Sequence, residues 1–391
     1  MRNSHQRMRR FAAVLVGIVF LLSGLLKMID PVGTMLILQE YFKFFHLDFL
    51  QPAAKALGVL LSLFETFLGM ALITGVLRKA AARCSYVLLG LFTLVTLVLW
   101  ILNPSMDCGC FGEAVHLTHA QSFWKNIILL GLTVFAFTPF QEFGRPKSHR
   151  IVAAVLAAFS VLYVAWYSNT HLPLVDFTAF DWGAELFASL DDDVAADNHY
   201  KAAYVYEKDG QEGVFELDAL PDSSWSFVRV DTVFRKTTSI TDEDPVLGFR
   251  DAEGEDRDRL AAEGCAVVIS VYDPSRIVWK RVQEQYDKVM QAGGTPLVLV
   301  SAVPGDPVLP DGLPLYYADY KTLITLNRSN GGGSFFNEGE LVNKWDVRHI
   351  PENLSQEFKA DPVDLSTRYI VRRRLRMQGF CVYLVALLLL V

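Results

Sequence analysis

The stretch Asp107-Cys108-Gly109-Cys110-Phe111-Gly112 holds the residues best equipped for chemistry. Two thiols one residue apart can close a disulfide only through a very small ring. Gly109 lowers the backbone cost, but strain remains, and a strained disulfide is readily reduced. Such a pair suits exchange better than permanent stapling. A metal reading competes with it: Cys108, Cys110, His116 and His119 are close enough in sequence to form a four-ligand site, although C-x-C is tighter than the usual zinc spacing. The third reading is a structural pair with no exchange. Of the five cysteines, Cys84 and Cys381 lie in apolar runs, and Cys265 opens a strand; these three read as packing residues.

Four further polar residues stand in or beside apolar runs. Glu65 lies mid-run, and Gly58, Ser62, Glu65 and Gly69 share one helical face. An intramembrane carboxylate is costly and faces a partner or a cavity. Its bland role is a structural hydrogen bond; its functional role is a proton relay, ligand contact or cofactor contact. Lys27 and Asp30 lie at the end of the first run. Lys27 either snorkels to the interface or pairs with Glu65, which would satisfy both charges.

These residues need a membrane bundle to position them. The chain has 391 residues, 52% of them hydrophobic, and the excess is concentrated before residue 170. Five runs approach the ~20 apolar residues of a span: 11–29, 56–77, 84–102, 122–140 and 150–168. The first has basic flanks but no small-residue cleavage site after it, so it reads as a retained span. Arg2, Arg7, Arg9, Arg10, Arg78, Lys79, Arg83, Arg145, Lys147 and Arg150 fall on one side, against Lys43, Lys55 and Lys125 on the other. That bias predicts a cytoplasmic N-terminus and outward loops at 30–55 and 103–121. Everything after the fifth span then faces outward as well. The net charge of −7 gives no reason to expect nucleic-acid binding.

Beyond Thr170 the composition is that of a globular domain. Residues 200–206 and 213–217 alternate around Lys208-Asp209-Gly210, predicting a hairpin. Residues 223–256 read as polar and mixed. Then come a buried strand at 265–272, a helix at 277–292, a second strand at 296–302 and a turn at Asn337-Glu338-Gly339. This is an α/β layer pattern. Arg372, Arg373, Arg374 and Arg376 precede a short apolar run from Gly379, read as a partial span or a surface segment.

The pattern Ser23-Gly24-x-x-Lys27-x-x-Asp30-Pro31, Glu65 followed by Gly69, and Asp107-Cys108-Gly109-Cys110-Phe111-Gly112 with Trp124 and Asn126 downstream resembles the DoxX/MauE group of bacterial membrane proteins. With an outward domain appended, the layout is similar to DoxX-family proteins of Bacteroidetes. The resemblance implies a methylamine utilisation-like maturation role, as in MauE, or quinone-linked sulfur oxidation, as in DoxX. Residues 245–346 resemble a thioredoxin-like domain, with two departures. Tyr272-Asp273-Pro274-Ser275 stands where C-x-x-C is expected, and Ser329-Asn330-Gly331-Gly332-Gly333 replaces the proline before the late strand.

The expected fold class is a membrane α-helical bundle, a four-helix DoxX/MauE-like core plus a fifth span, followed by an α/β thioredoxin-like soluble domain. The expected domains are the bundle at 1–145, the fifth helix at 146–169, a periplasmic thioredoxin-like domain at 170–370 and a basic flank with an apolar segment at 371–391. The expected function is a bacterial inner-membrane thiol–disulfide or electron-transfer component. Cys108 and Cys110 exchange with a periplasmic dithiol protein, and a quinone is the candidate acceptor. The alternative is a non-catalytic assembly or scaffolding protein whose outer domain binds a partner.

Overall fold

The computed structural model describes residues 2–104, 106, 108–138, 148–173, 175–178, 180, 201–208, 211–215, 221, 224–233 and 247–361, with isolated positions from 365 to 382. Asp107, the turn residues Asp209 and Gly210, the basic flank Arg372–Arg374 and Arg376, and Cys381 with nearly all of the terminal apolar run lie outside the described residues. Two compact units are present, one within Met1–Phe177 and one within Thr178–Arg374.

The first unit is helical: α1 (Arg2–Ile29), α2 (Pro31–Phe44), α3 (Ala54–Thr74), α4 (Arg78–Leu102), a short strand β1 (Cys110–Glu113), α5 (His119–Phe137) and α6 (Ser148–Thr170). Among the described residues, four segments are long and apolar enough to cross a membrane: His5–Ile29, Asp48–Thr74, Arg78–Leu102 and His119–Phe137. The fifth expected span is a helix too, with a shorter apolar stretch at Ala154–Thr170.

Small residues decide how α1 and α3 meet. A Cβ on Gly24 would fall 2.6 Å from the Ser62 carbonyl oxygen and against Thr66 Oγ1, and one on Gly69 would fall 2.5 Å from Leu21 N. Only glycine lets the two backbones approach this closely. Glu65 lies between those crossings and is fully buried.

Residues 30–55 form more than a loop. Asp30 caps α2, accepting the Gly33 N–H at 3.0 Å, and Pro31 occupies the first helical position, where its missing N–H costs nothing. A short 3-10 helix, Asp48–Ala53, leads into α3. Before α5, Thr118 and Gln121 form a reciprocal capping box.

The second unit begins with β2 (Lys201–Lys208), β3 (Gln211–Phe215) and β4 (Ser226–Val233), an antiparallel sheet of order β3-β2-β4. The hairpin expected there is present, and β4 is an additional strand within the stretch read as mixed. A five-stranded sheet follows, built from β5 (Cys265–Val271), β6 (Thr295–Val300), β7 (Leu315–Tyr317), β8 (Gly332–Asn337) and β9 (Glu340–Trp345), in order β7-β6-β5-β8-β9. β5, β6 and β7 run parallel, while β8 is antiparallel to both β5 and β9. Among its helices are α7 (Arg259–Ala262), α8 (Trp279–Ala292), α9 (Tyr320–Leu326) and α10 (Leu354–Glu357).

Both faces of β5 are covered. Ala266 and Val268 enter one core; Val267, Ile269 and Val271 enter the other with Val282 and Val289 of α8. A strand buried on both sides reads as a continuous apolar run, which is why CAVVISV was visible in the sequence. Glu338 and Gly339 take φ of 47° and 82°, the left-handed pair of a tight hairpin turn between β8 and β9.

Candidate functional site

The polar residues of the first unit converge where α1, α3 and β1 meet. Lys27 Nζ donates to Glu65 Oε1 at 2.7 Å and to Oε2 at 2.9 Å, and the two side chains are 5% and 0% exposed. The ammonium also lies 5.6 Å from the centre of the Phe92 ring on α4. Lys27 is therefore a buried partner of Glu65 and does not snorkel.

Ser23, one helical turn before Lys27, ties this pair to the cysteine strand. Its Oγ is 2.7 Å from Glu65 Oε2, 3.2 Å from Lys27 Nζ and 2.6 Å from the Cys110 carbonyl oxygen. On the other side Tyr41 of α2 donates its hydroxyl to the Cys108 carbonyl at 2.6 Å. Both cysteine carbonyls are thus held by side chains from the helices.

The turn that presents the thiols depends on two glycines with positive φ, Gly109 at 61° and Gly112 at 63°, closed by a Gly112 N–H to Gly109 carbonyl bond of 3.2 Å. A Cβ on Gly109 would also strike Ile37 Cγ2. The thiols lie 3.5 Å apart, sulfur to sulfur, with Cys108 buried and Cys110 half-buried.

Their surroundings push the two thiols in opposite directions. A hydrogen bond from the Cys108 thiol, then the positive charges of Lys125 and Lys27, hold Cys110 well below the usual thiol range against the opposing effect of burial. Cys108 moves up, first because it donates to Cys110 and then through burial, while the Ser122 hydroxyl beside it draws it back. Lys125 sits over the Phe111 ring at 4.8 Å, which fixes the ammonium near β1. The arrangement is that of a thiolate with a neighbouring proton-bearing thiol.

The remaining expected residues divide. Ser62 lies on the Glu65 face, but its hydroxyl returns to the Gly58 carbonyl at 2.7 Å and takes no part in the cluster. Asp30 is a helix cap at the end of α1, not a polar group within the span. The metal alternative is not assembled: among the described residues no three His, Cys, Asp or Glu side chains gather, and His119 Nε2 is 3.1 Å from the Pro104 carbonyl oxygen. Ser23, Tyr41 and Lys125 were not assigned to the site from sequence. Ser23 carried two signals, its place in the Ser23-Gly24-x-x-Lys27 pattern and the spacing from Lys27 that puts both on one helix face.

In the second unit, Asp273 and Asn330 come from the two stretches after β5 and before β8. They bond reciprocally: the Asp273 N–H donates to Asn330 Oδ1 at 3.0 Å, and Asn330 Nδ2 donates to the Asp273 carbonyl at 2.7 Å. Cys265 lies at the start of β5, with Sγ 3.3 Å from Asn337 Oδ1.

Residues 6–139 match the family model described as methylamine utilisation protein MauE. The N-terminal bundle is MauE-like. Its match spans α1 through α5 and contains every residue of the Lys27–Glu65–Ser23 cluster and both thiols. Outside the MauE-like unit, residues 200–236 match a domain of unknown function, DUF8463. No curated protein matches the chain. No solved structure matches it either.

Proposed function

We propose that this chain is a membrane thiol–disulfide component of the methylamine-utilisation type, with Cys108 and Cys110 as the exchanging pair. The carrying observation is the 3.5 Å separation of two free thiols on a turn built from two glycines with positive φ. A disulfide is about 2.0 Å long, so closure needs a sulfur displacement of roughly 1.5 Å. Cys110, the thiolate, is the attacking sulfur; Cys108 is the resolving one. In the working direction a partner dithiol attacks the Cys108–Cys110 bridge. One bond breaks, a mixed disulfide forms on Cys110, and the second partner thiol displaces it. The partner leaves oxidised and the pair gains two electrons. Re-oxidation passes those electrons to an acceptor of the quinone class.

The loop-charge bias supports an outward cysteine strand and an outward second unit at a bacterial inner membrane, where thiols are not held reduced. For the second unit we propose a thioredoxin-like binding role without thiol chemistry. Its order β6-β5-β8-β9, with β8 antiparallel, supports that layout, and the reciprocal Asp273–Asn330 bonds fill the place where a thiol pair would act.

The test is trapping. Cys108→Ser leaves Cys110 unable to be resolved and should accumulate a mixed disulfide with an outside partner, visible as a reductant-sensitive mass increase. Cys110→Ser should accumulate far less. Equal trapping by both variants, or none, would remove the assigned roles.

A further inference from the structure

The early turns of α1 present two unlike faces. Arg9, Ala12, Ala13 and Val16 are buried in the bundle. Gln6, Arg7, Arg10, Phe11 and Val14 instead line an open groove of about 500 Å³. Arg7, Arg10, Phe11 and Val14 follow one another at the spacing of a single helix face. Phe11 is 64% exposed, and Gln6 and Arg7 are exposed as well. Among the described residues, the lining holds two guanidinium groups, one amide and no carboxylate.

The groove changes character along its length. Gln6, Arg7 and Arg10 make a polar end, and Phe11 and Val14 an apolar one. All five lie within His5–Ile29, a segment able to cross a membrane. The helix rises by about 10 Å from Arg7 to Val14. The headgroup layer on each side of a bilayer is roughly 5–7 Å deep. With Arg7 among the headgroups, Val14 therefore lies among acyl chains. A dissolved anion would use the cations and leave Phe11 and Val14 bare. A molecule that offers a negative group and an apolar chain at this spacing is a phospholipid.

The two arginines are placed differently. Arg10 Nη1 donates to the Leu72 carbonyl at 3.0 Å, and Nη2 donates to the Ile73 carbonyl, both in the last turn of α3. These bonds fix one guanidinium at the wall of the groove. Arg7 stands on the exposed rim, where its side chain can turn toward a ligand. Arginine suits a phosphate because its planar fork presents parallel donors to two oxygens.

We infer that this groove binds an anionic phospholipid, with the phosphate between Arg7 and Arg10 beside Gln6 and an acyl chain over Phe11 and Val14. The site lies at the end of α1 opposite Lys27 and stands apart from the thiol pair. Bound lipid stabilises the bundle, because it is held by the folded chain and not by the unfolded one.

The experiment uses the purified full chain in neutral detergent, titrated with phosphatidylglycerol, phosphatidylcholine or glycerol 3-phosphate. Native mass spectrometry reads the lipid retained, and a thermal melt reads the stabilisation. Phosphatidylglycerol should be retained as a single molecule and raise the melting temperature; the other two should do neither. An arginine near an anionic surface is worth about a fivefold change in affinity, so Arg7→Gln should weaken retention by that factor. Phe11→Ala removes the acyl contact and should weaken it severalfold. Arg83→Gln removes an exposed cation of α4 outside the groove and should leave retention unchanged. All three side chains are exposed, so the variants should fold as the unsubstituted chain does. Equal weakening by Arg7→Gln and Arg83→Gln would reduce the binding to general charge attraction and overturn the site. Equal retention of the two lipids would overturn the requirement for an anion. Stabilisation by glycerol 3-phosphate that Phe11→Ala leaves intact would assign the groove to a dissolved phosphate and overturn the lipid.

Discussion

Lys27 and Glu65, 38 positions apart in the sequence, meet with Nζ 2.7 Å from Oε1 and almost no exposure to solvent. A buried pair is harmed most by losing one member. Glu65→Ala should destabilise the bundle by about 3–5 kcal/mol, because it strands the Lys27 charge. Replacing both, as Lys27→Met with Glu65→Leu, should recover much of that loss while abolishing activity. Denaturant unfolding in detergent measures it. A double variant no more stable than Glu65→Ala alone would contradict this account of the pair.

Glycines in the same bundle should respond in opposite ways. Gly24 faces the α3 backbone, whereas a Cβ on Gly90 of α4 would meet nothing within 4 Å. Gly24→Ala should separate α1 from α3 and lower both yield and melting temperature. Gly90→Ala should be neutral or stabilising by up to ~1 kcal/mol, since alanine is the better helix former. Thermal melts of the two variants check the contrast, and similar losses in both would count against the close crossing.

How much of this was legible follows from the physics of each element. The spans showed because a bilayer demands long apolar runs, and four of them match helices that can cross. The α2 helix was missed because it has only 14 residues, too few to register as a span, although Asp30-Pro31 is a cap-and-first-turn signal. Glu65 stood out as a lone carboxylate in an apolar run. Tyr41 did not, because its bond to the Cys108 carbonyl joins residues 67 apart, and nothing local announces it. The β4 strand was hidden by its polar neighbours, even though Phe227, Val228, Val230 and Val233 give it strand-like content.

The second unit should be sensitive to pH near neutrality. Asp258 accepts the Phe249 N–H at 2.7 Å and the Gly248 N–H at 3.1 Å, and burial, followed by the charge of Asp256, pushes its carboxyl up to about 7. The folded state therefore holds a proton that the unfolded state releases from about pH 4 upward. This group's contribution is complete below about pH 4 and is lost as pH rises through about 7. Hydrogen exchange at β5 should quicken across that window relative to Asp258→Asn. An unchanged difference between the two from pH 5 to pH 8 would contradict it.

Lys125 should set the reactivity of Cys110. Its charge favours the thiolate, so Lys125→Gln should move the onset of Cys110 alkylation to higher pH. Cys108 should stay the slower of the two at every pH, because it is buried and keeps its proton. Site-resolved alkylation rates, read by mass spectrometry in reduced protein, decide it. Faster labelling at Cys108 would reverse the assignment of attacking and resolving sulfurs.

The most direct measurement is differential alkylation of intact cells and of membranes prepared without reductant, using a reagent that cannot cross the bilayer. The account predicts that Cys108 and Cys110 remain unlabelled until a reductant is added and then label from the outside. A metal site would instead yield its thiols to a chelator. Free labelling of both cysteines with neither treatment would contradict the exchanging pair, and labelling only from the cytoplasmic side would contradict its outward placement.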